Sequence, residues 1–156
     1  MMKAEHINPF LNATINVIET MAFCKVKSGV PAIKKDKTTW GIVSGIIGLA
    51  SDKIKGSMVI SFSEEAILHI VSKMLMEEFK EVNNDVVEAV GEITNMITGN
   101  AKREFSEMSI KFDMATPVMV LGKGVEIVQF DKSPTIVIPF SVEEKGFVVE
   151  VLLKEV

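Results

Sequence analysis

The stretch NNDVVEAVGEITNMITGNAKREFSEM, from Asn83 to Met108, decides how the rest of the chain is arranged. Val86, Val90, Ile93, Ile97, Ala101, Phe105 and Met108 recur at three- and four-residue steps. At 3.6 residues per turn they fall within about 60° of one line, which predicts a single long helix with one buried stripe. On the same wheel Glu88, Glu92, Asn95, Gly99 and Ser106 fall roughly 140–180° away, on the outward face. An exposed glycine inside a helix costs about 1 kcal/mol relative to alanine. In exchange it leaves a low spot where another surface can approach the backbone.

Two readings of that outward face stand side by side. Glu and Asn on the outside of a helix are ordinary solvated residues, and Glu88 has a local explanation as well. Asp85 followed three residues later by Glu88 has the form of a capping box, with Asp85 as N-cap. Asn95 is harder to assign to solvation alone, because asparagine competes for local backbone hydrogen bonds and is a middling helix former.

Composition narrows the classes. A chain of 156 residues with 47% hydrophobic residues is long enough to bury a core as one domain, residues 1–156. Net charge is −4 with no basic block, which argues against nucleic acid as a partner. The single Cys24 cannot form an internal disulfide and is expected to be a buried, inert thiol in a reducing compartment. His6 and His69 are far apart, so a histidine-based metal or catalytic site is not expected. His69 is expected on the solvent side of its helix.

The remaining elements read in order. Ile7 to Phe23 is the first helix, with Asn8 as N-cap and Pro9 in the opening turn. Its interruption by Asn12, Thr14, Asn16 and Glu19 is a poor fit to a secretion signal. Lys25 to Lys37 is a loop or short extended segment. Trp40 to Ala50 predicts a strand buried on both faces, too short to cross a membrane as a helix. A turn at Ser51-Asp52-Lys53 returns it as a second strand, Ile54 to Phe62. Ser63 caps a helix from Glu64 to about Glu78, with Ile67, Ile70, Val71 and Met74 inward. After the long helix come a short strand at Ile110–Met114 and a hairpin of Pro117–Leu121 with Val125–Asp131. A last hairpin joins Thr135–Val142 to Gly146–Lys154 across Glu143-Glu144-Lys145. Met58–Ser63 echoes Ile136–Ser141, each followed closely by a Glu-Glu pair. Two related halves or coincidence of strand composition explain this equally well. The architecture expected is α+β, a mainly antiparallel sheet with three helices over one face.

Gly91-Glu92-Ile93-Thr94-Asn95-Met96-Ile97-Thr98-Gly99 resembles the E-x-x-N-x-x-x-G motif of the CheC/CheX/FliY phosphatases of bacterial chemotaxis, closest to the CheX branch. The preceding Gly56-Ser57-Met58-Val59-Ile60-Ser61-Phe62-Ser63 strand and the order of elements extend the likeness over most of the chain. It implies a pseudo-twofold fold, cytoplasmic location and dephosphorylation of a CheY-type response regulator. In that scheme Asn95 orients a water at the aspartyl phosphate and Glu92 pairs with the regulator's active-site lysine. Glu88 and Gly99 fall on the partner-binding surface. No cofactor of its own is implied, the Mg²⁺ being held by the partner, and the branch with one active helix commonly forms homodimers. One departure is Glu88, where the family usually has Asp or Ser. The rival reading is a non-catalytic, flagellar-switch-like binding module of the same fold. A further one is the same chemistry on a regulator outside chemotaxis. The exposed helix face, without a concave pocket, suits a protein that acts inside a partner's active site.

Overall fold

A computed structural model describes residues 4–129 and 132–156. In chain order the elements are α1 Ala4–Ala22, β1 Lys27–Ser28, β2 Ala32–Ile33, β3 Val43–Ala50, β4 Ile54–Phe62, α2 Glu64–Leu75 and α3 Asn84–Glu107. Then follow β5 Asp113–Met114, β6 Val118–Leu121, β7 Ile136–Val142 and β8 Lys145–Glu155. The strands form one antiparallel sheet in which β8 lies between β7 and β4, and β3 lies outside β4. β5 and β6 pair with the outer side of β3, and β1 and β2 with the outer side of β7. The α+β expectation therefore holds.

Alternation along the strands assigns the two faces of the sheet. Ile47, Met58, Ile60, Phe62, Ile138 and Val149 are buried toward the helices, which return Phe10, Ile18, Ile67, Ile70, Ile93 and Ile97. The two echoing segments have a common partner. Met58 and Ile136 both pair with Val151, Ile60 and Ile138 with Val149, and Phe62 and Phe140 with Phe147. The matched residues thus sit at the same levels on either side of β8, and their likeness follows from shared neighbours. The three phenylalanines stack across the sheet with ring centroids 5.2 and 5.3 Å apart. Beyond them the Glu-Glu pairs diverge: Glu64-Glu65 opens α2, whereas Glu143-Glu144 makes the β7–β8 turn with φ of 47° and 66°. Positive φ at both central residues is what a tight two-residue hairpin requires.

Several expectations are corrected. α1 begins at Ala4, so Asn8 is an exposed helical residue and Pro9 is buried inside the helix. Ser63 caps α2 as expected, accepting from the Ala66 N–H at 3.2 Å, but the helix stops at Leu75. Met76 turns left-handed at φ 55°, and the Phe79 N–H donates to Ser72 Oγ at 3.0 Å, steering Phe79 into the core. β3 begins at Val43, leaving Trp40 outside the strand and 42% exposed. The strand expected at 110–114 shrinks to Asp113–Met114. His69 is not on the solvent side: its side chain is 17% exposed, with Nε2 3.4 Å from Glu143 Oε2. That is ion-pair distance without hydrogen-bond geometry. Cys24 is half-buried, its thiol pushed up from the usual range chiefly by burial and then by the charges of Glu143 and Glu19.

The hairpin expected of Pro117–Leu121 and Val125–Asp131 does not form. β6 pairs with β3 instead. Gly122 and Gly124, at φ 117° and 75°, turn the chain away over the sheet's second face. There Thr39 organises the crossing. Its N–H donates to the Val125 carbonyl at 2.9 Å, its hydroxyl donates to the Gly122 carbonyl at 2.9 Å and accepts from the Val125 N–H at 3.0 Å. Phe130 and Asp131 lie outside the described residues. Beneath this strap Lys34 Nζ meets Glu150 Oε2 at 2.9 Å, with only 13% and 5% of the two side chains exposed. Burial pushes the Glu150 carboxyl up, and the Lys34 hydrogen bond and charge hold it partly down.

Candidate functional site on the outer face of α3

α3 runs 24 residues and is capped by Asn83, whose side chain accepts the Val86 N–H at 3.0 Å. Asp85 is consequently a first-turn residue, where a carboxylate favours the helix dipole, and the capping box with Glu88 is not made. Glu88 stands exposed one turn further in.

The inner face is fixed at three levels. Val86, Val90, Ile93 and Ile97 are fully buried as the spacing predicts. In the middle, Thr94 packs so closely on Gly45 of β3 that a Cβ there would lie 2.1 Å from Thr94 Oγ1. That hydroxyl turns back to the Val90 carbonyl at 2.7 Å, and Thr98 Oγ1 donates likewise to the Thr94 carbonyl. At the far end Phe105 meets Phe112 edge-on at 4.9 Å and Phe10 at 5.5 Å. On the flank, α1 is tied across by Asn16 Nδ2 donating to Asn100 Oδ1 at 3.0 Å. The helix therefore cannot rotate without breaking buried contacts.

The outer face is the converse. Glu88, Glu92 and Asn95 are exposed, and none makes a side-chain hydrogen bond or ion pair among the described residues. Glu92 and Asn95 are about 4.5 Å apart along the helix axis and Gly99 is about 6 Å beyond Asn95. A Cβ placed on Gly99 would meet nothing within 4 Å, so no contact inside the chain requires glycine there. A helical turn carrying one carboxylate and one carboxamide, both unengaged and rigidly based, can accept from a cation and both accept from and donate to a water. All four residues expected at the site thus lie on one face.

The structure also shows a shallow cleft that the helical wheel of α3 alone does not reveal, since half of it comes from α1. Val17, Thr20 and Met21 of α1 face Met96, Gly99 and Arg103 of α3 across it. The signal for it in the sequence was present but divided: Met96 directly follows Asn95, and Thr20 lies 75 or more positions away from its α3 neighbours. None of the helices, among the described residues, is long and apolar enough to cross a membrane.

Comparison with known proteins places these features in a family. The profile described as chemotaxis phosphatase CheX matches residues 43–141, which include the β3–β4 hairpin and the whole of α3. A CheX chemotaxis protein from Vibrio vulnificus is 44% identical and superposes with a TM-score of 0.89, covering 97% of this chain and all of the other. The CheX of a CheX–CheY–BeF3–Mg²⁺ complex from Borrelia burgdorferi is 29% identical with a TM-score of 0.80, over 96% of this chain and 98% of that one. A Thermotoga maritima protein named CheY-P phosphatase CheX is 25% identical over 130 residues, 83% of either chain. This chain belongs to the chemotaxis phosphatase CheX family.

Proposed function

We propose that the chain is a phosphatase that hydrolyses the aspartyl phosphate of a CheY-type response regulator in the cytoplasm and so ends its signal. The observation that carries this reading is the pairing of Glu92 and Asn95 on one rigid outward turn, neither used by the chain's own fold. Docking inserts that turn into the regulator's active site. Asn95 accepts from a water and orients it in line with the phosphorus. Water oxygen bonds to phosphorus, the bond to the aspartyl oxygen breaks, and the regulator's carboxylate and inorganic phosphate result. An amide is too weak a base to deprotonate water, so its contribution is placement, of the kind made by the water-positioning glutamine of GTPases. Glu92 pairs with the regulator's lysine and sets the depth of Asn95. The Mg²⁺ this chemistry needs is the partner's.

The chain acts as one domain over residues 1–156 and as a homodimer. Supporting the dimer is the outer edge of the sheet, where β6 pairs on one side with β3 and carries Val118 and Leu121 at 61% and 60% exposure. The test is loss of phosphate from a phosphorylated CheY-type regulator with wild type, Asn95→Ala and Glu92→Ala in parallel. Wild type should accelerate hydrolysis, Asn95→Ala should not, and Glu92→Ala should act mainly through weaker binding. Equal acceleration by Asn95→Ala would remove the carboxamide from the reacting centre.

A further inference from the structure

We infer that the cleft between α1 and α3 beside Gly99 is a recognition pocket for the docked regulator, taking one of its apolar side chains while Arg103 pairs with an acidic residue next to it. The inference rests on the phosphatase reading and adds to it a determinant of which regulator is accepted.

Three observations converge here. The cleft is continuous with the proposed docking face, because Gly99 belongs to both: it stands on the stripe of Glu92 and Asn95 and also lines the cleft. Among the described residues nothing lies within 4 Å of where its side chain would be, and the missing methyl keeps the cleft's edge low. The cleft's chemistry is asymmetric. Val17, Met21 and Met96 form an apolar floor in which the methionines are only partly buried. Unbranched thioether side chains adapt to an incoming group. Arg103 stands at the rim, exposed and without an ion pair among the described residues. The carboxylate beside it, Glu104, is turned to Asn12 Nδ2 at 3.4 Å. An apolar floor with a free guanidinium at its edge fits an apolar residue flanked by Asp or Glu. Arg103 is about 12 Å along the axis from Asn95, beyond reach of the phosphoryl group, so it discriminates without entering the reaction.

The experiment measures binding and turnover separately on the dimeric or monomeric protein as it occurs. Binding is titrated with a CheY-type regulator from the same genome held active by beryllofluoride and Mg²⁺, and turnover with the phosphorylated regulator. The variants are Thr20→Tyr, which fills the cleft from an exposed position on α1, and Arg103→Ala and Arg103→Glu, with thermal melts as a fold control. The inference expects Kd and KM to rise about tenfold for Thr20→Tyr, with kcat at saturation within twofold of wild type. Arg103→Glu should weaken binding more than Arg103→Ala, and salt should narrow the gap between them. Unchanged Kd in all three, while wild type binds, overturns the pocket and leaves the phosphatase reading standing. Wild type that binds without turnover overturns the phosphatase reading, and the Kd values still decide the pocket. Absence of binding by wild type to every such regulator overturns both.

Discussion

Gly45 of β3 lies against the inner face of α3 and Gly99 stands on its outer face, and the two glycines have opposite surroundings. At Gly45 any Cβ would strike Thr94, so the glycine is what lets β3 and α3 approach. At Gly99 the space is open and the chain gains nothing from the missing methyl. Polar groups divide in the same way. Those that the fold uses are joined to one another, as Thr94 to the Val90 carbonyl, Ser44 to Ser61 at 2.8 Å, and Lys34 to Glu150. Glu92 and Asn95 make no side-chain hydrogen bond or ion pair among the described residues. The proposed docking role would account for such residues, since the contacts of the described chain do not.

The largest effect that tests this contrast is Gly45→Ala. Overpacking at the Thr94 contact should lower unfolding free energy by about 3 kcal/mol in denaturant titration. It should also depress activity, because α3 must shift. If stability is unchanged, the inner face is looser than the contrast requires. Asn95→Ala follows. Loss of water placement should slow turnover about a hundredfold, equivalent to about 2.7 kcal/mol on the barrier. The melting temperature should stay with wild type, and a drop of several degrees would assign Asn95 to the fold. Gly99→Ala sharpens the comparison from the other side. It should stabilise the chain by about 1 kcal/mol while raising KM several-fold. A stabilised variant of full activity would make Gly99 incidental to docking.

The smallest effect concerns the buried ion pair under the strap. Burial raises the folded-state value for Glu150 above its ordinary 4.5, so the native state holds that proton more tightly than the unfolded chain does. Its contribution is complete below 4.5 and declines as pH rises through the raised folded value. Asp36 acts in the opposite sense. The backbone N–H of Thr38, helped by Lys34, holds its carboxyl below 3.8, so its contribution is lost as pH falls. Melting curves against pH should show a decline as pH rises above 4.5 in wild type and a flatter profile there in Glu150→Gln.

The parts legible in the sequence are those fixed by local rules. The inner stripe of α3 from Val86 to Phe105, its outer stripe, the span of β4 and the Ser63 cap each follow from a period or from one turn's chemistry and are found, whereas Met108 falls at the C-cap and Lys145, expected in the last turn, already belongs to β8. Most of the larger errors lie where a group distant in sequence decided the outcome. One error is local: Asp85 looked like a cap, but Asn83, two residues earlier, takes the Val86 N–H. Val125–Asp131 looked like the return strand of a hairpin, but Thr39, more than 80 positions upstream, captured its first hydrogen bonds. His69 looked solvated because its helix periodicity does not know of Glu143. Within the site, the α3 half was readable from one helical wheel, and the α1 half was not.

The place of β8 at the middle of the sheet also shapes how the chain reaches this state. β3 with β4 and β7 with β8 are hairpins of neighbouring segments, closed by short turns and able to form early. The nine-pair seam from Ile54↔Glu155 to Phe62↔Phe147 instead unites segments with α2 and α3 between them in sequence. Closing so large a loop delays its reward, so docking of the two hairpins along this seam sets the folding rate. Truncating Val149 or Ile60 should then slow folding, while truncating Phe10 should chiefly speed unfolding. β8 follows α3 in the chain, so the motif helix is made before the strand that joins the two hairpins into one sheet.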